Sequence, residues 1–261
     1  MSEELKIALK ASKKAGNLVM EVYDTEFTAE EKSDRSPVTK ADLISQESIF
    51  EDLKDFGYGF LGEESENKSL LKNGKCWIVD PLDGTKDFIE KTGDFSVMIG
   101  LVEDGEVIMG VVYLPAKDIF YFAEKGKGAF KKEGDNEPKI IRCSEVSDLK
   151  DAKMVVSRFH LDEDTKHFMK NAEIKETVPT GSIGIKLSLI AEGKADVYLT
   201  TTDRTFLWDV CAPEIILQEA GGKVTNLKGE KFIYENDRLQ NKDGVVACNG
   251  LLSGDVLSLL N

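Results

Sequence analysis

The sequence contains few of the residues on which several common kinds of functional site depend. It has two histidines, too few for a three-histidine zinc site, and four widely separated cysteines without a Cys-x-x-Cys pair. It also lacks the Gly-x-x-x-x-Gly-Lys-Ser/Thr phosphate loop and the Gly-x-Ser-x-Gly motif of serine hydrolases. A three-histidine zinc enzyme, a phosphate-loop nucleotide hydrolase and a serine hydrolase are therefore disfavoured.

Positive charge and long apolar runs are also scarce. Lys and Arg number 34 against 48 Asp and Glu, a net charge of −14, which argues against binding of nucleic acid polymers and leaves no basic patch for a membrane. No apolar run reaches the length of a membrane span, and the amphipathic N-terminus lacks the apolar core of a signal peptide. Together with the scattered cysteines, these features predict a cytoplasmic protein. The same charge means that a phosphate substrate needs cations within its site.

The first half of the chain combines two helices with a run of strands. With 261 residues, 41% of them hydrophobic, the chain can bury a substantial core in one or two domains. Apolar residues at helical spacing predict helices over residues 3–23 and 42–53. From residue 75 to residue 130 the pattern becomes β-like, and Asp104-Gly105 between two apolar runs predicts a hairpin turn.

A polar stretch from residue 131 to about residue 151 is the best candidate for a domain boundary. Beyond it, alternating elements are predicted, with strands over 153–157, 175–179, 195–200 and 244–248 and helices over 162–171, 183–192, 208–220 and 250–260. Such alternation is typical of an α/β arrangement with helices on both faces of a sheet. We therefore divide the chain into residues 1–145 and 146–261.

The most informative stretch is Trp77–Phe88, with the sequence WIVDPLDGTKDF. It begins as an apolar strand, which is expected to stop at Asp80 because Pro81 cannot continue a hydrogen-bonded ladder. Asp80 and Asp83 then lie at a turn before a helix that opens at Gly84-Thr85, where free backbone N–H groups attract anions. Two oxygen donors beside a phosphate-ready backbone suggest metal-assisted phosphate chemistry.

Other carboxylates occupy comparable positions. Glu63 closes a short predicted strand, whereas Asp42 and Asp209 stand at predicted helix starts. Any one of them alone is more often a solvated residue or a simple N-cap. Several acids at strand ends and helix starts nevertheless fit a cluster of ligands for two or three Mg²⁺ ions, which would also supply the missing positive charge.

Four motifs in the same order as these acids resemble those of the inositol monophosphatase superfamily, whose members are lithium-sensitive, magnesium-dependent phosphatases. The motifs are Gly62-Glu63-Glu64-Ser65, WIVDPLDGTKDF, Trp208-Asp209 and Glu219-Ala220-Gly221-Gly222, and the resemblance covers nearly the whole chain. The resemblance implies an α/β fold of the layered αβαβα type, with an α+β N-terminal half and an α/β C-terminal half. It also implies that homodimers and monomers are both allowed, since the superfamily includes both.

The resemblance assigns the metal ligands residue by residue. Glu63 and Asp80, together with the backbone carbonyl of Leu82, would hold the first Mg²⁺. Asp80, Asp83 and Asp209 would hold the second.

The resemblance also assigns catalytic roles around the attacking water. Asp42 would help to bind a third ion or orient water, and Thr85, hydrogen-bonded to Glu63 or Asp42, would position the water. The backbone N–H groups of Gly84 and Thr85 would face the phosphate. The expected reaction is a direct in-line attack by a metal-activated water without a covalent intermediate.

Two further segments are similar to the 3'(2'),5'-bisphosphate nucleotidases of this superfamily. They are Lys32–Asp42 and Val156–His160, and the Lys-Asp pair after Thr85 agrees with them. The implied substrate is 3'-phosphoadenosine 5'-phosphate, hydrolysed to AMP and phosphate. Substrate contacts are then implied for Asp83, Gly84, Thr85, Ser157, His160, Gly181, Ser182, Lys186 and Asp209.

Two alternatives stay open beside the nucleotidase. Gly181-Ser182-Ile183-Gly184 looks more like the loop of the inositol phosphatases, although Thr202 stands where that branch has an acidic residue, with Asp203 only adjacent. The nucleotidase branch often has Tyr-Pro-Arg before its Trp-Asp, and Arg204 here follows a different spacing. An inositol or sugar phosphatase, including one that accepts fructose 1,6-bisphosphate, is the second reading. A non-catalytic regulatory module is the third, and the intact acids argue against it.

Overall fold

The computed structural model describes residues 1–26, 29–31, 37–65, 74–159, 161–234 and 239–260. Within these residues the chain forms seven α-helices, two large β-sheets and a small strand pair. The helices, α1 to α7, span Glu3–Tyr23, Lys40–Leu53, Thr85–Ile89, Glu163–Asn171, Ile183–Ala191, Leu207–Glu219 and Ser253–Leu260. The small pair is formed by antiparallel strands β1 (Ala29–Glu31) and β2 (Pro37–Thr39).

The larger sheet has seven strands, which lie side by side in the order in which they occur in the chain. Strands β3 to β9 span Gly59–Gly62, Lys75–Asp83, Ser96–Glu103, Glu106–Leu114, Ile119–Glu124, Ala129–Glu133 and Lys139–Ile141. β3 runs parallel to β4, and every later pair is antiparallel. The predicted hairpin at Asp104-Gly105 is confirmed, and both residues have positive φ (49° and 80°), as a type I′ turn requires.

The smaller sheet has five strands. Strands β10 to β14 span Lys153–Ser157, Glu176–Thr180, Val197–Thr200, Lys223–Thr225 and Val245–Cys248. They are arranged in the order β11-β10-β12-β14-β13. β10 is parallel to both β11 and β12, whereas β14 is antiparallel to β12 and β13. The carboxyl ends of β10 and β11 therefore meet at the same edge of the sheet.

Helices and sheets alternate in five layers with three apolar cores between them. α1 and α2 cover one face of the larger sheet, and α5 and α6 lie between the two sheets. α4 and α7 cover the outer face of the smaller sheet. At Gly110 the larger sheet approaches α6 so closely that a Cβ would lie 2.2 Å from the carbonyl oxygen of Ala212. This arrangement confirms the predicted αβαβα fold.

The structure corrects the prediction for Pro81. β4 does not stop at Asp80 but continues through Pro81 to Asp83. The pairing register between β4 and β5 shifts between Asp80 and Asp83, so proline occupies an irregular part of the ladder, where its missing N–H is tolerated.

Most other helices and strands agree with the prediction from the sequence, and a few short strands were not predicted. The helices and strands predicted beyond residue 151 are present with ends shifted by up to three residues. Strands β9 and β13, of three residues each, were not predicted, because such short segments carry little periodicity. The boundary near residue 145 stays a prediction. Within the described residues, no helix combines the length and apolar character needed to cross a bilayer.

Candidate metal centre

Three aspartates from distant parts of the sequence meet at the end of β4. Asp80 and Asp83 lie in the last residues of this strand, and Asp209 lies in the first turn of α6, which packs against the same sheet. One carboxylate oxygen from each of the three lies within 4.8 Å of those of the other two. Asp209 is oriented by the backbone N–H of Phe206, which donates to its Oδ2 at 2.6 Å. Such a set of oxygen donors can hold a metal ion.

The carboxylates of this cluster lie where negative charge is costly. Burial raises the pKa of Asp80 well above its ordinary value, and the charges of Glu63, Asp83 and Asp209 raise it further. The pKa of Asp209 is raised first by burial and then by Asp83 and Glu63. A divalent cation among these oxygens would offset both effects, so the donor set fits a hard cation such as Mg²⁺.

Glu63 lies beside this cluster rather than within it. It directly follows β3, and its backbone N–H donates to the carbonyl oxygen of Val79 at 3.1 Å. Its charge acts on Asp80 and Asp209, but it is not one of the three residues whose ligand oxygens lie within 4.8 Å. The position agrees with a ligand at the edge of the site.

The irregular end of β4 is held in place by hydrogen bonds. The backbone N–H of Leu82 donates to Asp80 Oδ1 at 3.0 Å, and Ser45 of α2 donates to the carbonyl oxygen of Pro81 at 2.8 Å. The hydroxyl of Thr85 lies 3.2 Å from the carbonyl oxygen of Leu82. This carbonyl, predicted to be a metal ligand, therefore points toward Thr85, at the start of α3.

Asp83 is bound by the loop that precedes α5. The Ser182 hydroxyl and the Gly184 backbone N–H both donate to Asp83 Oδ2, the latter at 2.8 Å. The Ser182 oxygen also lies 2.8 Å from Ser96 Oγ and accepts a hydrogen bond from Ile185 N–H at 3.0 Å. Burial raises the pKa of Asp83, and the bonds from Ser182 and Gly184 act in the opposite direction. The loop thus favours the ionised carboxylate that a metal needs.

Asp42 and Thr85 approach each other across the site. Asp42 is in the first turn of α2, where its Oδ2 accepts hydrogen bonds from the backbone N–H and the hydroxyl of Thr39, each at 2.7 Å. Its other oxygen, Oδ1, makes a long contact of 3.5 Å with the Thr85 hydroxyl. Of the two partners expected for Thr85, the contact in the structure is with Asp42.

Gly84 forms the turn between β4 and α3. Its φ of +90° lies in the left-handed region, which other residues rarely adopt. A Cβ at this position would lie 3.0 Å from the carbonyl oxygen of Asp94 and 3.2 Å from the backbone nitrogen of Ser182. Glycine is therefore required both by the turn and by the packing around it.

Several of the residues predicted to contact substrate come from the C-terminal half of the chain. Ser157 is the last residue of β10, and Gly181 directly follows β11, which is parallel to β10. Ser182 binds Asp83 directly. Lys186 on α5 is buried, which lowers its pKa to about 8, although the charges of Asp83, Asp87 and Asp209 favour its protonated form. His160, also predicted to contact substrate, lies outside the described residues.

The structure contains an ion-pair network that the sequence analysis does not predict. Arg158 binds both Asp87 and Asp94, and Lys117 binds Asp94 at 2.7 Å. Gly181 passes so close to this network that a Cβ would lie 2.3 Å from Asp87 Oδ2. The partners are 71 and 64 positions apart in the sequence, and the only local signal was the Lys-Asp pair after Thr85.

A family model described as the inositol monophosphatase family matches residues 1–254. The chain belongs to the inositol monophosphatase family. The Asp80–Asp83–Asp209 cluster lies within the matched part, and the resemblance of the four motifs is thereby confirmed. As a member of this family, the protein is a phosphatase that acts on small phosphate esters.

Curated relatives of the chain differ in the substrates that their names give. The chain is 34% identical over 229 residues to a 3'(2'),5'-bisphosphate nucleotidase, CysQ, of Salmonella typhimurium, which covers 85% of this chain and 90% of the relative. It is 31% identical over 268 residues to a histidinol-phosphatase of Mycobacterium tuberculosis, with 99% and 98% covered. Family membership alone therefore does not determine the substrate.

Solved structures of other proteins have the same fold. The extragenic suppressor protein SuhB of Bartonella henselae superimposes with a TM-score of 0.85 at 28% identity, covering 100% of this chain and 99% of that chain. CysQ of Bacteroides thetaiotaomicron, described as a bacterial member of the inositol monophosphatase family, has a TM-score of 0.79 at 31% identity, with 94% and 96% covered. The chain thus shares its layered architecture with both SuhB and CysQ.

Proposed function

We propose that this protein is a Mg²⁺-dependent 3'(2'),5'-bisphosphate nucleotidase that hydrolyses 3'-phosphoadenosine 5'-phosphate to AMP and phosphate. The observation that carries the proposal is the Asp80–Asp83–Asp209 cluster, in which one carboxylate oxygen of each residue lies within 4.8 Å of the others, and Asp83 directly precedes the Gly84-Thr85 turn. The similarity to CysQ nucleotidases over 85% of the chain supports the choice of substrate.

The proposed metal ligands are those that the family resemblance implies, and the close approach of Asp80, Asp83 and Asp209 supports three of them. Two sets share Asp80: Glu63 and the Leu82 carbonyl complete one set, and Asp83 and Asp209 complete the other. Two to three Mg²⁺ ions bound there would neutralise the carboxylates, polarise the phosphate and lower the pKa of the attacking water. The acceptors of this chain are all oxygen atoms, which is the ligand type that Mg²⁺ prefers.

Thr85 and Asp42 are proposed to orient the attacking water. The Thr85 hydroxyl has one proton, which it donates to the Leu82 carbonyl or to Asp42 Oδ1. Its oxygen is then an acceptor for an O–H of the water, whose lone pair is turned toward the phosphorus. The other O–H of the water is proposed to donate a hydrogen bond to Glu63, and the backbone N–H groups of Gly84 and Thr85 to donate to the phosphate oxygens.

The rest of the substrate is proposed to lie at the carboxyl ends of β10 and β11. Ligands of open α/β sheets bind outside the carboxyl ends of the strands, and Ser157 and Gly181 lie there. Ser182 reaches the same region while holding Asp83. His160 and Lys186 complete the proposed contacts, Lys186 as a buried cation beside the acidic cluster.

A direct comparison of substrates tests this proposal. Phosphate release is measured with 3'-phosphoadenosine 5'-phosphate, inositol 1-phosphate and histidinol phosphate at the same Mg²⁺ concentration. The proposal predicts the highest kcat/KM for the bisphosphate. A higher value for either of the other two esters would overturn it.

An inositol or sugar phosphatase is the second candidate, and the sequence of the loop that binds Asp83 favours it. The loop that binds Asp83, Gly181-Ser182-Ile183-Gly184, resembles the corresponding loop of the inositol phosphatases. A Thermotoga maritima protein whose name contains IMPase superimposes with a TM-score of 0.84 at 28% identity, covering 100% of this chain and 97% of that chain. Preferential hydrolysis of inositol 1-phosphate, or of fructose 1,6-bisphosphate, would favour this candidate.

A further inference from the structure

Arg158 forms ion pairs with two buried carboxylates. One terminal nitrogen of its guanidinium donates to Asp87 Oδ1 and the other to Asp94 Oδ2. Asp87 is 3% exposed and Asp94 is 8% exposed, and each has a further partner, Thr92 for Asp87 and Lys117 for Asp94. Because both terminal nitrogens of the guanidinium are paired with carboxylates, Arg158 is proposed to hold the end of β10 on α3 rather than to bind substrate.

Lys86 and Phe159 are the sequence neighbours of Asp87 and Arg158, which form one of these ion pairs. Lys86 precedes Asp87 on α3, and Phe159 follows Arg158 at the carboxyl end of β10. The Lys86 ammonium lies 4.5 Å from the centre of the Phe159 ring. The ion pair between Arg158 and Asp87 therefore holds together the two segments that carry Lys86 and Phe159.

The Lys86 ammonium is available to an anion. Its side chain is exposed, and among the described residues no carboxylate lies within ion-pair distance of it. A cation over an aromatic ring at an exposed position is held only weakly and keeps its charge. In a protein with a net charge of −14, such a cation at the edge of the site attracts a phosphate.

Lys86 is close to the metal cluster in the chain. It follows Asp83 by three residues, so their Cα atoms are at most about 11 Å apart. The proposed Mg²⁺ ions act on the scissile phosphate only, and a second phosphate carrying two negative charges needs a cation of its own. We propose that Lys86, held over the Phe159 ring, binds the second, non-scissile phosphate of the substrate and so determines the preference for bisphosphates. This inference rests on the proposed nucleotidase function.

Two substrates that share the scissile bond isolate the second phosphate. These are 3'-phosphoadenosine 5'-phosphate and adenosine 3'-monophosphate, assayed with wild-type protein and with Lys86→Met, which keeps an apolar side chain but removes the charge. The expected result is a KM for the bisphosphate raised roughly tenfold to a hundredfold, as for loss of a hydrogen bond to a charged group, with kcat within about twofold. Kinetics with the monophosphate should not change, and Lys86→Arg should restore the low KM.

Lys91 offers a matched control. It is another exposed lysine whose ammonium lies over an aromatic ring, 4.3 Å from the centre of Tyr23. Lys91→Met removes the same charge from the protein and should leave the kinetics of both substrates unchanged. A KM that rises equally in Lys86→Met and Lys91→Met would indicate a general charge effect and overturn the proposal.

The outcomes separate this inference from the proposed function. If the wild-type protein prefers the bisphosphate and Lys86→Met keeps that preference, the nucleotidase function stands and the role of Lys86 is wrong. Loss of the preference in Arg204→Met instead would assign the second phosphate to Arg204. If the wild-type protein does not hydrolyse the bisphosphate, both the nucleotidase function and the role of Lys86 are wrong.

Discussion

The backbone N–H of Gly184 donates a hydrogen bond to Oδ2 of Asp83 at 2.8 Å, across 101 positions of sequence. Through this bond and the neighbouring one from Ser182, the first turn of α5 sets the orientation of an aspartate at the end of β4. The C-terminal half of the chain thus acts directly on a predicted metal ligand. Metal binding and substrate binding are therefore expected to depend on the same loop.

Removal of the Ser182 hydroxyl should weaken metal activation. In Ser182→Ala one donor to Asp83 is lost, so the ionised carboxylate is less stabilised and less well oriented. We expect the Mg²⁺ concentration for half-maximal activity to rise about tenfold.

Ser188→Ala is the matched control for this experiment. Ser188 lies in α5, the helix that Ser182 caps, and its buried hydroxyl has no hydrogen-bond partner among the residues that the structure describes. Its Mg²⁺ dependence should equal that of the wild-type protein. Equal Mg²⁺ requirements in Ser182→Ala and Ser188→Ala would contradict the role assigned to Ser182.

Glu214 should make the stability of the fold depend on pH near neutrality. Burial raises the pKa of this α6 residue from its ordinary value of 4.5 to about 7, although bonds from Tyr234 and Gln218 favour its ionised form. Because the pKa of Glu214 is higher in the folded protein than in the unfolded chain, protonation of Glu214 favours the folded state. Its full contribution to the free energy of unfolding is present below about pH 4.5 and is lost as the pH rises to about 7 and beyond. The loss amounts to about 3 kcal/mol.

Urea denaturation of wild-type protein and Glu214→Gln between pH 5 and pH 8 measures this effect. Glutamine stays neutral and can still accept the hydrogen bond from Tyr234, so the free energy of unfolding of the variant should fall less with rising pH. The two proteins should differ most at the alkaline end. If the free energies of unfolding of the two proteins changed with pH in parallel, Glu214 would not change its protonation on unfolding between pH 5 and pH 8.

Lithium should inhibit the enzyme. Lithium sensitivity is implied by the family resemblance, and Li⁺ would act by occupying one of the positions among Glu63, Asp80, Asp83 and Asp209. Turnover should fall in Li⁺ concentrations of tens of millimolar, with NaCl at the same ionic strength as the control. Equal turnover in the two salts would speak against a lithium-sensitive site.

The layered fold and the meeting of Asp80, Asp83 and Asp209 in one site were implied by the resemblance of the four motifs to the family, whereas the residue pattern itself predicted most of the helices and strands and a cluster of acids. The apolar periodicity marks the helices and strands, and the acids follow strand ends or begin helices, where a layered fold brings them together. The residue pattern misplaced the end of β4, because a proline in an irregular pairing register does not end a strand. Cytoplasmic location and a homodimer stay predictions.

The ion-pair network of Arg158 could not be predicted. Its partners Asp87 and Asp94 come from segments that approach Arg158 only after the two sheets have packed on α5 and α6. No local pattern distinguishes Asp94 from an ordinary loop residue. The bond from Gly184 to Asp83 was missed for the same reason, since a backbone N–H has no signature in the sequence.

The most direct test of the account is the Mg²⁺ dependence of phosphate release from 3'-phosphoadenosine 5'-phosphate by wild-type protein and Asp83→Asn. The wild-type protein should be active in Mg²⁺ and inactive in metal-free buffer, and Asp83→Asn should lose about three orders of magnitude in kcat/KM, because a ligand shared by the metal and phosphate sites is gone. Asp196→Asn, a change at a buried aspartate bound to Ser144 away from the cluster, is the control that should keep the Mg²⁺ response. Full activity of Asp83→Asn in metal-free buffer would contradict the account.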